Sequence, residues 1–249
     1  MMFLMILHTN NPGSTHRLAR GLLLAAGLIG PLAPVAAHDL WLENTGKTWT
    51  LYQGHRHSAH AGAETIPYST RFVSQARCLD PRGTTRPLDL VTSSPWSANA
   101  DCALLRLDVS SGYWSKTPWE TKNLPKTDVP GTLKSWLSTD SLTRIDRWAP
   151  VVERGLGQGL EILPQGNPFP LKPDDKLTIR VLRNGQPLAG VPVAYHGDTR
   201  GETDAEGRIA IRLRHGGLQL ISASIELPVK DGKADVEVVA ATLQFEIAP

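Results

Sequence analysis

Short runs of alternating apolar and polar residues, broken by Gly, Pro, Asn and Asp, fill most of this chain. A period of two is the mark of strands with one buried face. The clearest run is K-L-T-I-R-V-L-R, where Leu177, Ile179 and Val181 fall on one side and Asn184-Gly185 supplies a turn. V-P-V-A-Y-H follows, then R-I-A-I-R-L with Ile209, Ile211 and Leu213 alternating. After His215-Gly216-Gly217 come L-Q-L-I-S-A-S-I and V-E-V-V-A-A-T-L-Q-F-E-I. Short strands with turn signals roughly every 8–12 residues read as β-sandwich. The expected class is all-β: two β-sandwich-like domains with short helical segments between them.

One segment breaks the alternation. In 131–148, Leu133, Trp136 and Leu137, then Leu142, Ile145 and Trp148, are spaced at three and four. That spacing predicts one or two short helices. A second break is L-P-Q-G-N-P-F-P-L-K-P, where prolines 164, 168, 170 and 173 make a stiff connector. The expected organisation is a leader over 1–37, an N-terminal β domain over 38–163, the connector 164–173, and a C-terminal sandwich over 174–249.

The leader carries Arg17 and Arg20, then the apolar run G-L-L-L-A-A-G-L-I-G, then Val35 and Ala37 at the −3 and −1 positions of a cleavage site. Cutting after Ala37 would export the chain and make His38 its first residue. The apolar run is too short to span a bilayer, so a mature chain without a membrane span is expected. The leader holds two of the 26 basic residues and none of the 24 acids, which leaves 24 of each. A neutral mature chain without a basic block gives nucleic acid no purchase. Cys78 and Cys102, an even pair in an exported chain, predict a disulfide between neighbouring strands.

A terminal histidine offers an α-amine and an imidazole nitrogen on one residue, a chelating pair for a transition metal. His55, His57 and His60 follow within Q-G-H-R-H-S-A-H. Gly46-Lys47 between two strand-like runs is a signal for a type II′ hairpin. With that turn, paired residue numbers sum to 93, so His38 faces His55 and Trp41 faces Tyr52. Opposed residues share a face, with Cβ atoms about 4.5–5.5 Å apart. His57 would share it if the strand continues. A longer turn around Asn44 would instead pair His38 with Gln53, and a one-residue slip inverts every later side chain.

Imidazole nitrogen suits nickel, cobalt, copper or zinc. All three methionines lie in the leader, so thioether ligands are absent from the mature chain. Asp39, Glu43 and Glu64 are the oxygen candidates nearby. His196, at a strand end, and His215, in a Gly-rich turn, read as surface residues. Tyr113, Trp114 and Trp119 read either as packing with Trp136 and Trp148 or as a partner or glycan surface. No nucleophile elbow, H-E-x-x-H, phosphate loop or C-x-x-C is present. No enzyme is indicated, apart from a remote terminal-histidine-brace copper oxidase. A metal-free adaptor is the main alternative to metal binding.

The opening A-H-D-L-W-L-E with its nearby G-H, the segment 159–193 and the tail A-A-T-L-Q-F-E-I resemble the NikM-like family of exported proteins. That family is a domain of unknown function loosely associated with nickel and cobalt uptake. P-L-A-G-V-P-V and G-E-T-D-A-E-G-R-I, near the C-terminal strands, also resemble carboxypeptidase-regulatory or transthyretin-like sandwiches of Ig type. The resemblance implies a periplasmic β protein that binds a divalent metal, with a membrane metal transporter as partner. His38 and His55 carry the family's motif; His57 and His60 are added from spacing alone.

Overall fold

The structure, a computed structural model, describes residues 39–54, 65–90 and 93–249. It is built from strands and three 3-10 turns, and the longest of those turns has five residues. No helix among the described residues is long and apolar enough to cross a membrane.

Three sheets form a sandwich-like stack. The small sheet contains β1 (Asp39–Thr45), β2 (Thr48–Gly54) and β5 (Ser97–Asn99), in the order β1-β2-β5. The central sheet has nine strands. Its N-terminal members are β3 (Val73–Leu79), β4 (Thr85–Pro87), β6 (Leu104–Lys116), β7 (Thr121–Lys122) and β8 (Lys134–Ile145). Its C-terminal members are β12 (Pro192–Tyr195), β13 (Asp198–Glu202), β15 (Gly217–Pro228) and β16 (Val236–Ile247). The order is β13-β12-β15-β16-β8-β6-β3-β4, with β7 beside β6. The third sheet holds β9 (Leu160–Pro164), β10 (Lys176–Arg183), β11 (Gln186–Pro187) and β14 (Arg208–Arg212).

The central sheet is buried on both faces. Leu42, Trp49 and Leu51 of the small sheet pack on Leu105, Leu107, Val109 and Leu142. On the other face, Leu177, Ile179 and Val181 of β10 pack with Ile145, Ile221, Leu243 and Phe245. The connector 164–173 joins β9 to β10, which pair with one another. Strands from either side of it share the central sheet, because β16 runs parallel to β8 from Val236 against Trp136 to Gln244 against Arg144.

The C-terminal alternation appears as expected. Leu177, Ile179 and Val181 are buried, and Asn184 and Gly185 both have positive φ in the turn between β10 and β11. Two positive φ values in succession form the turn that Asn-Gly favours.

The helix expected over 131–148 is not there: Lys134–Ile145 is strand β8, in the middle of the central sheet. A strand covered on both faces loses its alternation, so its apolar residues fall at any spacing. Leu142 faces the small-sheet core and Ile145 the other core. The run S-T-D-S-L-T-R-I is also poor in helix formers.

Cys78 on β3 and Cys102, just ahead of β6, form the expected disulfide, with Cα atoms 5.4 Å apart. Both are buried in the core beneath the small sheet. Replacing both cysteines by alanine should lower stability by about 2–4 kcal/mol. Chemical denaturation measures this, and the double variant should lose the wild type's response to reductant.

Candidate functional site

The β1–β2 hairpin has the register expected for a Gly46-Lys47 turn. Thr45 pairs with Thr48, Trp41 with Tyr52 and Asp39 with Gly54. All seven pairs sum to 93. Gly46 has φ +70, the left-handed value that position requires. The Trp41 and Tyr52 rings stack at 5.7 Å. Alternation along the hairpin separates two faces. Leu40, Leu42, Asn44, Trp49, Leu51 and Gln53 have the parity that looks at the central sheet. Trp41, Glu43 and Tyr52 have the other, and the Trp41 indole donates to the Glu43 carboxylate at 3.0 Å.

The open end of the hairpin is anchored. Gly54 bridges to Thr65, and the Ile66 N–H donates to the Gln53 carbonyl at 2.8 Å. The chain therefore leaves the small sheet at Gly54 and returns beside it at Thr65. His38, His55, His57, His60 and Glu64 lie outside the described residues. Among the described residues no group of three or more His, Cys, Asp or Glu is arranged to hold a metal ion.

β1 is an edge strand of its sheet, and its outward backbone groups need partners. The central sheet provides them. The Gln244 side chain accepts from the Leu42 N–H at 2.9 Å and donates to the Leu40 carbonyl at 3.0 Å. Arg144 donates to the Leu42 carbonyl at 2.9 Å. Gln244 is fully buried, and Arg144 is held in turn by Asp146 at 2.7 Å and Glu246 at 2.9 Å. Asn44 then donates to Asp146 at 2.6 Å. A two-residue step along β1, from Leu42 to Asn44, thus matches the step from Arg144 to Asp146. β1 and β8 run in the same direction with their residues level.

One carboxylate on this face stands apart. Asp140 on β8 pairs with Val109 of β6 and Ala240 of β16, two residues before Leu142. It therefore shares the face that carries Leu142, Arg144 and Gln244. Among the described residues it has no salt bridge, and only the Ser138 hydroxyl reaches it, at 3.5 Å. Burial pushes its carboxyl up to about 6, against a small lowering by Ser138. Nothing in the local sequence marked Asp140, because the environment comes from strands distant in sequence.

The two histidines among the described residues meet. His196, at φ +51, and His215 approach with ring centroids 4.5 Å apart beside Tyr195. The Leu220 N–H reaches His196 Nε2 at 3.4 Å, and His215 Nδ1 lies 2.8 Å from the Gly216 carbonyl. His215 is exposed, as read from sequence. Trp114 and Trp136 are opposed across β6 and β8 and stack at 6.4 Å, while Trp119 is 87% exposed.

Two outcomes follow from this geometry. Gln244→Leu strands one buried N–H and one buried carbonyl on β1, and should cost about 2–4 kcal/mol in urea denaturation. Asp140→Asn in metal-free protein should do the opposite at high pH. A carboxyl raised to about 6 from 3.8 favours the fold when protonated, and that contribution is lost as pH rises from 3.8 through 6. The variant should exceed wild type by about 2 kcal/mol at pH 8 and match it near pH 3.5. Parallel denaturation curves at the two pH values check both the sign and the window.

No curated protein matches the sequence. The model of the family described as Domain of unknown function (DUF4198) matches residues 35–227, most of the chain, and this chain belongs to that family.

Proposed function

We propose that this protein binds a divalent transition-metal ion in the periplasm and assists its uptake without being an enzyme. In this reading an export leader is cut after Ala37. The ligands are the α-amine and imidazole of His38 and the imidazole of His55, with His57 and His60 close in sequence.

The supporting observation is the hairpin register. Seven consecutive pairs sum to 93, and the next pair in that count is His38 with His55. The donor set is nitrogen, borderline in softness, and suits nickel, cobalt, copper or zinc. The NikM-like resemblance of the opening motif favours nickel or cobalt, and makes a membrane metal transporter the partner. The same proposal takes 174–249 as a transthyretin-like module.

A metal-free adaptor is the second reading. Trp119 at 87% exposure and Leu133 at 70% favour it, since they leave apolar surface beside the ends of β6 and β8.

Calorimetric titration with nickel, cobalt and copper separates the two. Protein beginning at His38 should bind. A form with one extra residue before His38, and His55→Ala, should each bind at least about tenfold more weakly, or 1.4 kcal/mol. Unchanged affinity in both forms would remove the chelate. Loss of partner binding on Trp119→Ala, with no metal uptake by wild type, would install the adaptor.

A further inference from the structure

We propose that the outer face and open edge of the β10–β14 pair dock an acidic segment of a partner protein, which adds to the sheet as an extended strand beside β14. This surface shares no residue with the histidine reading and stands apart from it.

Register places the charge. β10 and β14 are antiparallel, with Lys176 opposite Arg212, Thr178 opposite Ala210 and Arg180 opposite Arg208. Leu177, Ile179 and Ile211, between them, are buried, so the even-numbered set looks outward. Lys176, Arg208, Ala210 and Arg212 are exposed, and Thr178 and Arg180 are half-buried. Two hydrogen bonds fix the phase. The Val181 N–H donates to the Gly207 carbonyl at 2.7 Å, and the Leu213 N–H to the Asp175 carbonyl at 2.9 Å. Odd-numbered pairs are therefore the hydrogen-bonded ones. The cation pairs occupy the other sites, where opposed Cα atoms are only about 4.5 Å apart. Like charges directly opposed destabilise a sheet. Here two such pairs stand about 13 Å apart along the strands, with Thr178 and Ala210 between them. Arg208 is paired with Asp204 and Glu206. Arg180 and Arg212 donate to the backbone carbonyls of Glu206 and Asp174, at 3.1 and 2.8 Å. Among the described residues neither they nor Lys176 has an ion pair.

The backbone points to the same occupant. β14 ends its sheet. The same phase turns the N–H and carbonyl groups of Arg208, Ala210 and Arg212 away from β10. Those of Arg208 are closed off by Asp204, whose N–H donates to the Arg208 carbonyl at 2.9 Å and whose carboxylate accepts from the Arg208 N–H at 2.7 Å. Those of Ala210 and Arg212 have no hydrogen-bond partner among the described residues. An open edge of this kind recruits a strand. A strand added there sets alternate side chains beside Arg208, Ala210 and Arg212, on the basic face. Acidic residues at those positions balance the two opposed cation pairs. A second copy of β14 does not fit, because antiparallel pairing about Ala210 sets Arg208 against Arg212.

The test is fluorescence anisotropy of a labelled peptide of alternating Glu and Val, titrated with the whole chain, together with amide exchange of wild type with and without the peptide. Wild type should bind, more weakly as salt is raised, and exchange at the Ala210 and Arg212 amides should slow. The double variant Lys176→Glu, Arg212→Glu should bind at least about tenfold more weakly. Ala210→Pro should also lose at least about tenfold: it keeps every charge and removes one edge donor, at a place where an edge strand tolerates proline. Amide exchange in wild type keeps the test decisive should the Pro variant fold poorly. No peptide binding by wild type overturns the proposal. Full affinity in Ala210→Pro with unaltered amide exchange also overturns it, since charge alone then suffices. Binding to vesicles of phosphatidylglycerol in place of the peptide overturns it too, and would make a membrane surface the occupant.

Discussion

The free edge of β1 is the constraint on which the rest of this structure depends. An edge strand packed inward on a larger sheet must find partners for its outward N–H and carbonyl groups. Here a side-chain amide and a guanidinium take the place of a neighbouring strand. Gln244 is buried and satisfies one donor and one acceptor of β1. Arg144 satisfies the next acceptor and is neutralised by Asp146 and Glu246. Because these bonds are directional and buried, they fix both the height and the direction of β1 over β8. Apolar packing of Leu42, Trp49 and Leu51 supplies adhesion, but it would tolerate sliding.

That fixed height gives the open end of the hairpin its meaning. The chain enters the small sheet at Asp39, leaves it at Gly54 and returns at Thr65, all at one end. A segment bearing three of the chain's histidines starts from that point. On its face toward the small sheet the central sheet carries Asp140, which has no salt bridge among the described residues. Desolvation of Asp140 is a cost the fold carries, and it pushes the carboxyl up to about 6.

Much of the fold was legible because it is local. The Gly46-Lys47 turn alone determined seven strand pairs, and Asn184-Gly185 determined the β10–β11 corner. Leu177, Ile179 and Val181 showed their buried face through simple alternation. β8 was misread because it is buried on both sides, so Leu142 and Ile145 serve different cores and mimic helical spacing. The parallel pairing of β8 with β16 has no local signal at all, since it joins residues about a hundred positions apart. Asp140, Gln244 and the meeting of His196 with His215 were hidden for that reason. The four histidines of the proposed metal site stand out through residue type and spacing alone, and they lie outside the described residues.

The most direct test is a crystal structure of protein beginning at His38 and loaded with nickel, with anomalous data collected at the nickel edge. The account predicts one strong anomalous peak at the open end of the β1–β2 hairpin. It should be bound by the terminal amine and the His38 and His55 rings. A peak at His196 and His215, or none at the hairpin, would contradict it.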